Sequence, residues 1–363
     1  MGDNQKMSKY LSRKLKFISV FAMAAVVFIH SYNFKDEFLT PTTRISEGFS
    51  FPAMFEYFFS NELFRFAVPL FFAISGFLFY FRYVNTVRCY LSKLKKRLYT
   101  LLLPYVIWVV LSGVLLTVLS QFELFAGLGI VKEKAFDWAH FYWYFVSPAA
   151  FPLWYIQQLM LFSIISPLIY LLIKYTKGFI LIPFGIMWLF NFHFIIDTQG
   201  LFYFSCGAAL AIFGVSRNIT RRDDNASAVS MTIIWVLLSL ANTFLAVFAD
   251  NSDFMSMVML ILYKVNEIVG VVAMWLIFDH IAKLITDKKG FIIAQTHLFF
   301  VFALHEPLTH LANQFALSES SGSLSHLALF VCLPFSIMAF CVMLSMMMRK
   351  NIRPVHRLMT GGR

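Results

Sequence analysis

Charge is scarce in this chain. Only 13% of its 363 residues are Asp, Glu, Lys or Arg, while 60% are hydrophobic; soluble domains carry roughly 25% charged residues. An apolar excess of that size has no soluble core of ordinary dimensions in which to hide, which excludes a cytosolic enzyme, a nucleic-acid binder and a disordered segment. Cysteine is scarcer still. Cys89, Cys206, Cys332 and Cys341 form no spaced set, so neither a disulfide framework nor a metal site is indicated. A serine-nucleophile elbow, a Walker loop, a dinucleotide glycine fingerprint and a zinc motif are all missing, which leaves direct group transfer as the chemistry of an enzyme of this kind. No internal repeat, low-complexity tract or long linker divides the sequence, and residues 1–363 read as a single membrane domain. The first apolar run has no small-residue cleavage site behind it, so it reads as a span rather than a secretory signal.

What is abundant is apolar runs of membrane-crossing length. Roughly 20 apolar residues cross a bilayer as an α-helix, and ten such spans are predicted at about 16–34, 64–82, 98–120, 153–173, 179–196, 201–215, 229–248, 257–278, 291–312 and 324–348. The expected fold class is therefore an all-α integral membrane protein, a ten-transmembrane-helix bundle. The net charge of +11 then becomes a statement about orientation. With ten spans, 24 of the 30 Lys and Arg residues fall on one side, four on the other, and Arg65 and Lys264 within spans. Basic residues mark the cytoplasmic side, so both termini are expected there. Of the 19 acidic residues, 12 fall in outer segments, five in inner ones, and Glu267 and Glu306 within spans.

Ionisable side chains inside a bilayer are costly, and each is a functional candidate. His30 lies 14 residues beyond Lys16, about 21 Å along an outward-running helix. His305 lies equally far beyond Phe291 in another outward-running span, with Glu306 beside it. Arg65, Gln157, Gln158, Lys264 and Glu267 are expected to reach the same outer layer from inward-running spans, and Asn191 and His193 approach it. Structural explanations stand beside the functional ones. Lys264 and Glu267, one turn apart, could simply neutralise each other; Arg65 could snorkel to the interface; His30 could merely bond a neighbouring helix; His193 and His310 lie near span ends. The basic stretch Arg82–Arg97 could serve only as a positive-inside anchor, or could offer Arg88, Lys93, Lys95, Lys96 and Arg97 to a phosphate-bearing donor. Imidazole suits general base work near neutral pH, and a carboxylate such as Glu306 could orient it.

These residues resemble the membrane acyltransferase 3 family. Residues 14–31, ending Phe-Ile-His30-Ser31, look like its first helix with a functional histidine. Arg65-Phe-Ala-Val-Pro-Leu-Phe-Phe-Ala-Ile-Ser75-Gly76 resembles its Val-Pro to Ser-Gly signature. Lys96-Arg97 followed by Leu103-Pro104-Tyr105, then Pro152-Leu-Trp154 and Phe302-Ala-Leu-His305, resemble later landmarks in the family's order. The likeness covers about residues 10–350. It implies transfer of an acyl group, usually acetyl, from cytoplasmic acyl-CoA to an extracytoplasmic glycan or glycolipid across a bacterial inner membrane. No cofactor would be bound permanently, and no nucleic acid would be involved. His30 would be catalytic with His305 and Glu306 beside it. Arg97 would contact the donor's phosphates, with Ser75 among the substrate-binding positions. The sequence departs from the family at Ser19, where many members carry arginine; Lys16, one turn earlier, is the residue that could substitute. Gln157-Gln158 stands where the family has an Arg-Asp pair. A transporter of polysaccharide or lipid-linked precursors is the alternative, favoured by mid-membrane polar groups and a Pro/Gly-containing second span.

Overall fold

A computed structural model of the chain describes residues 7–34, 39–45, 49–123, 145, 151–192, 195–214, 225–250, 252–285, 288–317 and 322–362. All regular structure among them is helical. The order is α1 (Lys9–His30), α2 (Phe51–Tyr57), a π turn (Phe58–Glu62), a 3-10 turn (Leu63–Phe66), α3 (Ala67–Tyr80), α4 (Val87–Arg97), a second π turn (Leu98–Leu102), α5 (Leu103–Leu119), α6 (Trp154–Ile164), α7 (Ser166–Tyr175), α8 (Leu181–Leu189), α9 (Thr198–Ile212), α10 (Asn225–Phe248), α11 (Asp253–Ile285), α12 (Lys289–Ala316), α13 (Ser323–Asn351) and α14 (Arg353–Met359).

Each long helix is sided by its spacing. In α5, Tyr105, Trp108, Val109, Ser112 and Leu116 are buried, whereas Val106, Val110, Val114 and Val118 recur every four residues and are exposed. That outward apolar stripe is what lipid contact requires, since no backbone polar group is left open along it. The buried stripe of α1 (Leu11, Leu15, Ile18, Ala22, Val26) joins one core with α3, α10, α11, α12 and α13. A second core gathers α3, α5, α6, α7, α9 and α12. Helix α3 belongs to both. Its tightest neighbour is α9, where backbones meet: a Cβ on Gly76 would lie 2.0 Å from the Phe204 carbonyl oxygen, and one on Gly207 1.9 Å from that of Ala73. Small residues permit such approach in membrane helices.

Six helices among the described residues are long and apolar enough to cross a membrane, or seven if a bent pair counts as one, fewer than the ten spans expected. The second span is longer than expected: Phe51–Tyr80 runs as 30 residues through the π and 3-10 turns, because Phe51–Phe59 is apolar apart from Glu56. Consequently Glu56 and Glu62, assigned by the sequence to an outer segment, are 0% and 1% exposed. The third begins at Val87 rather than residue 98, since the basic stretch is helical and continuous with α5. Its Lys93 donates to the carbonyls of Phe79 and Phe81, closing the C-terminal end of α3. The fourth span breaks at Ile165 into α6 and α7, bent by 64°, with Pro167 in the first turn of α7. Among the described residues the fifth contains only the nine-residue α8, and the sixth, α9, has 15 residues, about 22 Å against a hydrocarbon core of about 30 Å. The aromatic segment 138–144 and His193 lie outside the described residues.

Residues 39–45 are not a loose outer loop. Leu39, Ile45, Ala53, Tyr57, Ala246 and Met259 form a third apolar cluster. Arg44 donates to the carbonyls of Leu245 and Asp250, and the Tyr57 hydroxyl to that of Thr43. This strap seats α2 and the first π turn against α10 and α11.

Candidate active site

The ends of α1 and α12 place two imidazoles together. His30 closes α1 and His305 sits in the second half of α12, with ring centroids 5.1 Å apart in an edge-to-face arrangement. The equal depths counted along the sequence are thus realised as contact. His305 is fully buried, and its Nδ1 faces the carbonyls of Val301 (3.0 Å) and Phe302 (2.9 Å). Two acceptors at Nδ1 require the hydrogen there, which leaves Nε2 with its lone pair. That Nε2 is buried and has no hydrogen-bond partner among the described residues. His30 is half-buried and has Arg65 and His310 as further charged or titratable neighbours. Glu306 is half-buried beside His305 on α12.

Arg65 is reached through the first π turn. An inserted residue widens that turn and turns Ser60, Asn61 and Glu62 inward; all three are buried. The Ser60 hydroxyl donates to the Phe28 carbonyl of α1 at 3.1 Å. Arg65 Nη2 donates to Asn61 Oδ1 (3.0 Å) and to the Leu39 carbonyl (3.2 Å), so it is held in the protein rather than reaching to the interface. The Glu62 carboxylate accepts from Asn242 Nδ2 (2.8 Å) and Asn266 Nδ2 (3.3 Å), and Ser239 completes the network. None of Glu62, Asn242 and Asn266 was singled out from the sequence. Glu62 fell outside the expected span, and the amides carry no charge to draw attention.

A second polar group lies on α11 and the turn before α9. Lys264 and Glu267 are electrostatic neighbours, but each side chain has another partner among the described residues. Lys264 Nζ sits 4.9 Å over the Trp188 ring, a cation–π contact, while Glu267 Oε1 accepts from Gln199 Nε2 at 2.5 Å. Gln158 Oε1 accepts from the Asp197 amide and its Nε2 donates to the Ile195 carbonyl, so Gln158 braces the same turn. Asp197 then caps α9. Glu267 Oε2, Trp188 Nε1 and the Tyr203 hydroxyl are buried without hydrogen-bond partners among the described residues. Buried polar atoms are ordinarily satisfied, so this group can take hydroxyl donors and acceptors from a ligand. Gln157 is not part of it; its Nε2 donates to the Tyr105 hydroxyl (2.7 Å) and the Phe145 carbonyl (2.8 Å).

Arg97 lies at the opposite end. Its guanidinium is 5.6 Å from the Phe79 ring, with Tyr155 as its electrostatic neighbour; among the described residues no carboxylate pairs with it. From Tyr155 the contacts continue toward α12. The Tyr155 and Ser75 hydroxyls share a hydrogen bond of 2.9 Å. Tyr155 packs on Phe302 at 5.9 Å, and the Phe302 carbonyl holds His305. Lys16 is exposed and apart from this line, and Ser19 bonds back to the Leu15 carbonyl. The buried cation near the start of α1 is instead Lys14, paired with Asp279 at 2.6 Å.

Residues 15–346 match the profile of an acyltransferase domain, that of the acyltransferase 3 family. The chain is also 25% identical over 370 residues to the succinoglycan biosynthesis protein ExoH of Rhizobium meliloti (strain 1021), an alignment covering 98% of this chain and 94% of that protein. No solved structure matches it.

Proposed function

The chain belongs to the acyltransferase 3 family, whose profile spans nearly all of it, and from that premise we propose that it carries an acyl group from cytoplasmic acyl-CoA through the bilayer to a hydroxyl of an extracytoplasmic glycan or glycolipid. The acyl group is acetyl in this reading, and the membrane is the bacterial inner membrane. The short and bent helices complete a ten-crossing path, with both termini and the basic residues of α4 on the cytoplasmic side. The polysaccharide as acceptor is supported by the relative that acts in succinoglycan biosynthesis.

The observation that carries this reading is the run of contacts from Tyr155 and Ser75 through Phe302 to the His305–His30 pair, with Arg97 the electrostatic neighbour of Tyr155. Arg97 holds the donor's phosphate groups, for which a guanidinium is suited. The donor's arm runs along Tyr155 and Ser75 and presents its thioester carbonyl near His30. His30 removes the proton from the acceptor hydroxyl as its oxygen attacks that carbonyl. The C–S bond breaks, and the departing thiolate takes the proton from the imidazolium. His305, fixed as the tautomer with a free Nε2 lone pair, accepts a hydrogen bond from His30 while that ring is charged. Arg65 steadies negative charge on the carbonyl oxygen, and Glu267, Gln199 and Trp188 receive the acceptor's remaining hydroxyls.

The test is release of free coenzyme A thiol from acetyl-CoA by membranes containing the protein, with polysaccharide present. His30→Ala lowers the rate by about 10²- to 10⁴-fold, the range for a general base. A transporter would consume no thioester, and an unchanged rate in His30→Ala refutes the assignment.

A further inference from the structure

Helix α14 lies outside residues 15–346 that match the family profile, yet it is built into the molecule against α5 and the π turn that follows Arg97. Its His356 is 2% exposed. His356 Nε2 and the Ser345 hydroxyl are 2.8 Å apart, and the same hydroxyl lies 2.7 Å from His297 Nδ1, so three helices (α12, α13 and α14) meet at one buried oxygen. The imidazole stacks on Phe300, which packs on Trp108 at 5.1 Å, and the Trp108 indole donates to the Met359 carbonyl at 3.0 Å.

Beyond Met359 the chain turns against the second π turn. Gly361 (φ +65°) approaches so closely that a Cβ there would lie 2.8 Å from the Thr100 Cα and carbonyl oxygen. Gly362 (φ +80°) packs on the Tyr99 ring. Positive φ at both suits glycine. The Thr100 hydroxyl in turn donates to the Lys96 carbonyl, one residue before Arg97.

We propose that residues 353–362 are a positioning element for the donor site: anchored by the His297–Ser345–His356 chain, they press on Tyr99 and Thr100 and so hold the π turn that aims the Arg97 guanidinium. A π turn is a rare local departure from the α-helix, and an outside brace keeps it in one geometry. The inference rests on Arg97 being the donor-phosphate contact. His356 touches no reacting atom and acts through Arg97.

The experiment measures binding of coenzyme A and acetyl-CoA to the purified full-length protein in nanodiscs, together with its thermal midpoint. His356→Ala and, with the histidine chain intact, Gly361→Val each weaken coenzyme A binding by about tenfold, equivalent to 1.4 kcal/mol, with kcat at saturating acetyl-CoA within twofold of the parent. His356→Gln, which retains one hydrogen bond to Ser345, recovers most of the affinity. Arg97→Ala is the control for the underlying reading. If Arg97→Ala weakens binding while His356→Ala and Gly361→Val leave it unchanged, the positioning role is refuted and the donor site stands. Unchanged binding in Arg97→Ala overturns the donor assignment and the inference with it. A fall in thermal midpoint with affinity intact assigns α14 to stability alone, which also overturns it.

Discussion

Removing the Asp279 carboxylate has a calculable consequence for the whole bundle. Lys14 and Asp279 are 1% and 3% exposed and lie 2.6 Å apart, and the Lys14 ammonium also sits 3.8 Å over the Trp275 ring. The pair locks α1 to α11. Counting along the helices, His30 is 16 residues beyond Lys14, about 24 Å, and Glu267 is 12 residues from Asp279, about 18 Å. The pair therefore sets the register between the imidazole and the α11 carboxylate, and a slip of one turn would displace one against the other by about 5.4 Å. Asp279→Ala leaves an ammonium in an apolar shell, a loss of about 3–5 kcal/mol, whereas replacing both partners with apolar groups of similar volume is close to neutral. Asp279→Leu and Lys14→Met should thus each be strongly destabilising alone and mutually compensating together. Thermal unfolding in nanodiscs, followed by tryptophan fluorescence, reads both singles and the double. A double variant no more stable than its singles, or Asp279→Ala as stable as the parent, refutes the reasoning.

The α3–α9 contact predicts that Gly207→Val, whose Cβ would enter the Ala73 carbonyl at 1.9 Å, separates the two helices and costs at least the 1–3 kcal/mol of ordinary overpacking; Gly185→Ala, which meets only the Phe202 ring at 3.2 Å, should cost less in the same unfolding assay. Glu62→Leu leaves the amides of Asn242 and Asn266 without their carboxylate, a loss of about 1–3 kcal/mol per unsatisfied group, and adding Asn242→Leu should recover part of it. Burial, with Arg349 nearby, holds the His356 imidazole below its ordinary value of 6.5. The folded protein then refuses a proton that the unfolded chain accepts. Stability is therefore full above about pH 6.5 and declines as pH falls below it. The thermal midpoint at pH 5.5 and 7.5 should differ more in the parent than in His356→Gln.

Much of the bundle was legible because periodicity and depth are arithmetic. Counting residues along helices of known rise put His30 and His305 at equal depth; that their rings meet is a finding of the structure. Facing is harder. Lys14 and Lys16 are two residues apart and so point to nearly opposite sides of α1, and composition alone does not say which side is the interior; the structure buries Lys14 and exposes Lys16. The π turn at Phe58–Glu62 has no sequence signature of its own, and without it Glu62 reads as an outer residue instead of a buried one. The 64° break at Ile165 interrupts a stretch expected as one continuous span; Pro167 stands beside it, but proline marks a boundary and not an angle. Trp188, Gln199 and Asp197 went unnoticed because neutral or loop residues acquire significance only when Lys264 and Glu267 are brought onto them.

The central claim is that His30 performs acyl transfer to an outer acceptor, and it is tested most directly by mass spectrometry of the cell-surface glycan. Cells producing the parent protein should carry an acyl mass increment that cells lacking the gene do not. Cells with His30→Ala, inserted in the membrane at equal level, should lose that increment as completely as the deletion. Retention of the increment in His30→Ala, or its absence in every strain, contradicts the account.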